Sequence, residues 1–173
     1  MVDEVLKAKD SLLENCKTSV LATVNESGIP NSSYAPVAID EDGYIYIYIS
    51  ELSKHTSNIL SNSKISMMFI EDESASENIF ARKRITIDGN CIKIRRSSNT
   101  WSEKIKLMEN TFDETFTFLK KMEDFHLFQI KPISGLLVYG FAKAYRLRGK
   151  KLSEVHHMNE QGHKMKAKEK SWK

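Results

Sequence analysis

Residues 44–49 alternate strictly between tyrosine and isoleucine, in the order Tyr44-Ile45-Tyr46-Ile47-Tyr48-Ile49. Because successive side chains of a strand point to opposite faces, this period of two predicts a β-strand with tyrosine on one face and isoleucine on the other. Two interpretations of the tyrosine face stay open. It is either a half-exposed aromatic surface or a surface that packs against a planar ligand or a partner subunit.

Further runs of strand length surround this one and are separated by turn sequences. Strands are predicted over residues 18–24, 30–39, 65–70, 82–96, 124–130 and 136–147, and helices over 2–16, 53–61 and 101–122, the last with a break near Asn110. Pro30 and Pro36 cannot donate to a ladder and place the second run at a sheet edge. Asp88-Gly89 is the strongest hairpin signal, and Ser134-Gly135 separates the last two strands.

Short strands joined by tight turns, with helices between groups of strands, favour an antiparallel barrel over a doubly wound parallel sheet. The pattern ends near Gly149, so we predict a barrel domain over residues 1–149 and a basic tail over 150–173. No dinucleotide-binding, phosphate-loop or zinc-protease motif interrupts this pattern.

Composition narrows the class of protein. The chain has 173 residues, of which 40% are hydrophobic and 28% charged, which predicts one domain with a packed core. No apolar run approaches the roughly 20 residues of a membrane helix, and the acidic N-terminus does not resemble a signal peptide. Cys16 and Cys91 lie in no recognised motif, so we expect reduced thiols in a cytoplasmic protein.

Charge is distributed unevenly along the chain. Residues 143–173 hold ten Lys/Arg against three Asp/Glu, although the whole chain has a net charge of only +3. A basic tail indicates an acidic partner, which could be nucleic acid, a membrane surface or a small ligand with carboxylates or phosphates. A solvated chain end is the alternative.

Two groups of residues could carry chemistry. Arg82-Lys83-Arg84 enters a predicted strand and could anchor an anion, with hydrogen bonds from Ser33 and Tyr34 on another strand, or it could be a solvated strand end. The histidines have no carboxylate or cysteine partners at zinc-site spacing, and they are His55, His126, His156, His157 and His163.

Several segments together resemble the haem-utilisation proteins of the HugZ type, within the pyridoxamine-phosphate-oxidase-like split β-barrels. The resemblance runs from about residue 17 to 147. The segments that carry it are Leu21-Ala22-Thr23-Val24, Gly28-x-Pro30-Asn31-x-Ser33-Tyr34-Ala35-Pro36, His55-x-x-Asn58, Phe69-Ile70-Glu71-Asp72-Glu73, Phe80-Ala81-Arg82-Lys83-Arg84-Ile85-Thr86, Asp124-Phe125-x-Leu127-Phe128 and Gly140-Phe141-x-x-Ala144-Tyr145.

The resemblance implies a mainly β fold with peripheral helices, a six- to seven-stranded antiparallel split barrel of the FMN-binding type. It implies a homodimer with one haem per protomer at the interface. His163 in the tail matches the family's axial iron ligand, and Asp124 matches a carboxylate that hydrogen-bonds this imidazole from the partner subunit. Arg84 matches an arginine beside the iron-bound oxidant, and His55 matches a family histidine to which we give a secondary role.

We therefore predict an enzyme that degrades haem oxidatively and releases iron, with haem as both substrate and cofactor and electrons from an external donor or oxidation by peroxide. The predicted ligand residues are Ser33, Tyr34, Arg82, Lys83, Arg84 and His163, with Arg84 and Asp124 in catalysis. We expect neither nucleic acid nor a membrane span. Two alternatives remain: an FMN-dependent oxidoreductase of the pyridoxamine-phosphate-oxidase type, and a carrier that hands haem on intact.

Overall fold

A computed structural model describes residues 1–158 of the chain, which form three α-helices and nine strands. The helices are α1 (Val2–Asn15), α2 (Lys54–Ser61) and α3 (Asn99–Leu119). The strands are β1 (Thr18–Val24), β2 (Pro30–Pro36), β3 (Ala38–Ile39), β4 (Ile45–Ser50), β5 (Lys64–Ile70), β6 (Arg84–Lys93), β7 (Phe125–Val138), β8 (Ala144–Arg148) and β9 (Glu154–His157). Short 3₁₀ turns occur at Glu73–Ala75, Ile79–Ala81 and Lys150–Leu152.

Every strand pair in the sheet is antiparallel. The order is β2-β1-β5-β6-β7-β4-β3, with β8 paired to β7 and β9 paired to β8. The sheet curves far enough for β2 to contact β4. The predicted mainly β, antiparallel barrel class with peripheral helices is confirmed, and β2, with its two prolines, is an edge strand as expected. The strand count is higher than predicted because residues 30–39 divide into β2 and β3 and residues 154–157 add β9.

The tyrosine–isoleucine alternation forms β4 as predicted, but both of its faces are covered. Ile45, Ile47 and Ile49 lie in the main core, each at most 4% exposed. Tyr46 and Tyr48 are 0% and 6% exposed, beneath the apolar stripe of α3. The expectation of a half-exposed tyrosine face, or of one that receives a ligand or partner, is therefore wrong, because the chain's own third helix occupies it.

A half-buried polar cluster fixes α3 to this face of the sheet. The Tyr46 hydroxyl donates to Asp40 Oδ2 at 2.8 Å and accepts from the Gln129 amide at 2.7 Å. Lys104 of α3 places its Nζ 3.1 Å from the same Asp40 oxygen. Burial raises the pKa of Asp40, but the hydrogen bonds from Tyr46 and Lys104 outweigh it, so the pKa lies below its ordinary value. Burial also raises the pKa of Tyr46 to about 12, so both side chains keep the charge states that hold the cluster together.

The two predicted turn dipeptides lie inside strands. Asp88-Gly89 marks a register shift between β6 and β7, and Ser134-Gly135 is part of the 14-residue strand β7. A Cβ added at Gly89 would lie 2.7 Å from both Ile130 Cγ2 and the Lys131 carbonyl oxygen. The glycine is therefore needed for close approach of two strands at a bulge rather than for a hairpin. The chain instead turns after β7, where the Tyr139 N–H donates to Lys143 O at 3.1 Å.

Two further expectations differ from the structure. Helix α3 runs through Asn110 without the predicted break. The pattern was expected to end near Gly149, but residues 154–157 form β9 beside β8. The division into a barrel domain and a tail stays a prediction.

Candidate functional site

The Arg82–Arg84 segment lies at the start of β6, and its three cations have different surroundings. Arg82 donates from Nε and Nη2 to the Glu71 carbonyl at 2.8 and 2.5 Å, and its Nη1 lies 3.5 Å from Glu73. Lys83 is exposed, with Nζ 3.9 Å from a Glu71 oxygen. Arg84 donates from Nη1 to Arg82 O at 2.9 Å, and its other N–H groups have no acceptor within residues 1–158. Arg84 is thus the cation best placed to donate to a ligand.

Ser33 and Tyr34 are adjacent on β2 and point to opposite faces of the sheet. Tyr34 is 60% exposed on the outer face. Ser33 points inward, and its buried hydroxyl has no hydrogen-bond partner among the described residues. Because successive strand residues alternate, these two predicted ligand residues do not face one ligand together within a single protomer.

Much of the outer face of the sheet has no cover within residues 1–158. Helix α3 lies over the part formed by β3, β4 and the start of β7. The rest is crossed by one register row, which runs through Tyr34, Val20, Met68, Thr86, Leu136, Arg146 and His156. We call this row and its neighbours the open sheet face. Arg84 lies on it, two residues before Thr86, and the 85% exposed Phe80 and 68% exposed Phe141 flank the same end of the sheet.

Asp124 lies immediately before β7, at the opposite end from Arg84. Its carboxylate accepts a hydrogen bond from the Ser50 hydroxyl at 2.8 Å, and its carbonyl accepts from the Glu51 N–H at 2.8 Å. Phe125 pairs with Ser50 at the beginning of β7, whereas Val138 pairs with Arg84 at its end. At about 3.3 Å per residue, roughly 40 Å of strand separates the two predicted catalytic residues. One protomer does not bring them together.

Two of the histidines are engaged within the chain. His126, on β7, contacts Glu51 through its Nε2. His157 stacks on Tyr145 with ring centroids 4.5 Å apart, and its Nε2 lies 3.1 Å from the Ala142 carbonyl, to which it must donate. In each ring Nε2 is engaged within the chain, which leaves Nδ1 for any further contact.

The other predicted histidines differ in their surroundings. His55 is buried in α2, its Nε2 has no partner among residues 1–158, and burial lowers its pKa. His156 is exposed on β9. His163, the predicted iron ligand, lies outside the described residues. Within those residues, no three His, Cys, Asp or Glu side chains form a group that could hold a metal ion. The described helices also include none that is long and apolar enough to cross a membrane.

Sequence reasoning missed one contact at this site, the hydrogen bond between Ser50 and Asp124. Ser50 only ends the Tyr/Ile alternation, and its partner follows 74 positions later in the chain. The pairing of β4 with β7 creates this contact, and no local pattern indicates it.

The chain matches the family model described as pyridoxamine 5'-phosphate oxidase over residues 5–139. It is 40% identical over 148 residues to the heme oxygenase HutZ of Vibrio cholerae, and the match covers 86% of this chain and 83% of that protein.

Two solved structures resemble the whole fold. The crystal structure of Vibrio cholerae HutZ, described there as a heme storage protein, has a TM-score of 0.74 at 33% identity and covers 79% of this chain and 97% of that one. The structure of Campylobacter jejuni ChuZ has a TM-score of 0.85 at 31% identity, over 95% of this chain and 66% of that one.

Proposed function

The chain belongs to the pyridoxamine 5'-phosphate oxidase family, and from this we propose that it binds haem between two copies of itself and degrades it oxidatively. The observation that carries the proposal is the placement of Arg84 and Asp124 at opposite ends of β7. In a relative of a heme oxygenase, two such residues can serve one site only if each comes from a different protomer.

The open sheet face supports a homodimer. Tyr34 and Leu136 are 60% and 42% exposed there, and Met68 lies between their strands. A row of apolar side chains across the middle of a sheet, with no helix over it, favours burial against a self-complementary surface. We propose a second copy of the chain as its cover. The tyrosine face of β4, for which a partner subunit was one of two interpretations, is covered by α3, so the proposed dimer depends on the open sheet face instead.

The residues beside Arg84 fit haem, which is a flat apolar macrocycle with two carboxylates. Phe80 and Phe141 offer apolar surface, and Arg84 and Lys83 offer cations to the carboxylates. Bound haem would supply the iron at which oxygen or peroxide is activated. Arg84 would donate N–H groups toward the negative charge that develops on the oxidant. Arg82 would brace the loop through Glu71, and Tyr34, on the same face as Arg84, would hydrogen-bond at the edge of the site. Ser33, predicted as a ligand residue, points to the inner face and would not reach a ligand on the open sheet face of its own protomer.

We propose that His163 would bind the haem iron, with its second ring nitrogen donating to Asp124 of the partner subunit. The Met158 N–H donates to Ala144 O, and Ala144 pairs with Val138, which pairs with Arg84. Three strand spacings of about 4.8 Å place Met158 roughly 14 Å from Arg84. The five residues from Met158 to His163 span at most about 17 Å. This reach supports His163 as a ligand on the Arg84 side of the dimer.

Two further parts of the proposal concern the cell. Degradation requires electrons, which we assign to an external donor. We place the protein in the cytoplasm because Cys16 and Cys91 are both free thiols, and burial raises the pKa of Cys91 to about 12, so that it stays unreactive.

The test is the absorption spectrum of the purified full-length protein with haem and then ascorbate. We expect a Soret band that decays as a product band grows, and we expect His163→Ala to weaken haem binding and shift the ferric spectrum. His157→Ala is the matched control, since it removes a nearby histidine that stacks on Tyr145 and lies off the open sheet face. A Soret band that persists under reductant would instead make the protein a carrier. A flavin spectrum on purification would favour the FMN-dependent alternative.

A further inference from the structure

The Ser50 hydroxyl has only one direction in which to donate its proton. The Leu52 backbone N–H donates to Ser50 Oγ at 3.1 Å, and Ser50 Oγ lies 2.8 Å from Asp124 Oδ2. A hydroxyl has one proton, and an ionised carboxylate can only accept. The Leu52 bond occupies a lone pair of Oγ, so the proton points to Asp124.

The backbone around Ser50 is held as firmly as its side chain. The Ser50 carbonyl accepts from the Thr56 hydroxyl at 2.6 Å and from the Ser53 N–H at 3.1 Å, which ties the end of β4 to the start of α2. The Glu51 N–H donates to the Asp124 carbonyl at 2.8 Å. Main chain and side chain of Asp124 are therefore both fixed by the same short turn.

One oxygen of the Asp124 carboxylate is hydrogen-bonded within the chain, and the other can still accept a hydrogen bond from a ligand or partner. Asp124 Oδ2 receives the Ser50 bond, while Oδ1 has no donor among residues 1–158. His126, two residues further along, is the nearest imidazole in sequence, but its Nε2 is engaged by Glu51. Among residues 1–158 it makes no hydrogen bond to Asp124.

We infer that Ser50 is a positioning residue that holds the Asp124 carboxylate by Oδ2, so that Oδ1 stays available to the N–H of the imidazole that would bind iron. This inference rests on the proposed function, in which Asp124 hydrogen-bonds the iron-ligating histidine of the other protomer. Ser50 touches neither haem nor iron. It acts by fixing a side-chain torsion angle of Asp124. The carboxylate held in this way accepts the imidazole N–H and raises the basicity of the imidazole.

The test compares Ser50→Ala and Ser50→Thr in the haem-loaded full-length protein. The readout is the iron–histidine stretching band of the ferrous protein by resonance Raman, which reports how strongly the imidazole donates to iron. We expect Ser50→Ala to shift this band in the same direction as Asp124→Asn and to slow haem degradation by about 10-fold, with little change in haem affinity. Ser50→Thr keeps the hydroxyl and should restore both. Ser57→Ala removes a hydroxyl that bonds only the Lys54 carbonyl in α2 and is the matched control.

A double variant separates the possible outcomes. If Ser50 acts through Asp124, the combined variant should resemble Asp124→Asn alone, because the two effects are not additive. Additive effects, or an unchanged band in Ser50→Ala while Asp124→Asn shifts it, would overturn the role of Ser50 and leave the proposed function intact. An unchanged band in Asp124→Asn would instead remove Asp124 from the proposed site. Ser50→Cys, a near-isosteric weak donor, serves in place of Ser50→Ala if the alanine variant does not fold.

Discussion

Replacing Gly89 by alanine should destabilise the protein although it adds a single methyl group. The new Cβ would lie 2.7 Å from Ile130 Cγ2 and 2.7 Å from the Lys131 carbonyl oxygen. Real Cβ contacts are essentially never under 3.0 Å, so a neighbour must move. Ile130 is fully buried and β-branched, and Lys131 O belongs to the backbone of β7, so neither can move cheaply. Overpacking of this kind costs about 1–3 kcal/mol of unfolding free energy.

The assay is thermal unfolding followed by circular dichroism. For a chain of this length, each kcal/mol lowers Tm by about 2–4 °C, so a decrease of roughly 2–12 °C is expected. Gly140→Ala is the control. There the nearest neighbour of a new Cβ is Lys143 Cδ at 3.2 Å, in a flexible side chain, and the effect should stay within about 0.5 kcal/mol. Equal Tm values for Gly89→Ala and wild type would show that the β6–β7 bulge does not depend on glycine at this position.

Three other predictions address the polar cluster, the proposed ligand site and the open sheet face. Because the pKa of Asp40 is lowered in the folded state, its ion pair with Lys104 stabilises the fold above the unfolded pKa of about 3.9, and this stabilisation is lost as pH falls through the folded value. Asp40→Asn should therefore lower stability at pH 7 and flatten the acid limb of a stability–pH curve. Asp42→Asn, whose side chain is 65% exposed, should do neither. Arg84→Ala should slow haem degradation by about 100-fold, the typical cost of removing one donor to developing negative charge, whereas Arg95→Ala, at an exposed position, should not. Equal rates for Arg84→Ala and wild type in single-turnover assays would dismiss the role given to Arg84. Leu136→Asp should yield monomers in light scattering and abolish haem binding, while Phe118→Asp, at a still more exposed position on α3, should remain dimeric. A dimeric Leu136→Asp would place the interface elsewhere.

The parts of the fold that depend on local periodicity could be predicted from the sequence. The alternation in β4 and the apolar stripe of α3 each indicated the correct element, because the side-chain period is a property of the element itself. The packing of these two surfaces on each other could not be inferred, because the pattern of an apolar face does not indicate which element covers it. The tyrosines were therefore assigned to the surface although Tyr46 is completely buried.

The turn errors have a related cause. Asp-Gly favours a hairpin because glycine tolerates unusual backbone angles, but glycine also suits a position where another strand approaches closely. At Gly89 the second reason applies, and it involves residues about 40 positions later in the chain. The candidate site likewise has some features that the sequence indicates and others that only the fold creates. Arg84 and Asp124 were predicted as site residues from a family resemblance, whereas their separation along β7 and the bond from Ser50 arise only from strand pairing.

The length of β7 has a genetic consequence. On the proposed arrangement, each haem site takes the Arg84 end from one copy and the Asp124 end from the other, so the two defects can be separated between subunits. A cell that expresses Arg84→Ala and Asp124→Asn chains in equal amounts would form about half of its dimers as mixed pairs. Every mixed pair contains one site with both defects and one site with neither. Two alleles that are each impaired alone would then complement one another, to about a quarter of the normal number of intact sites.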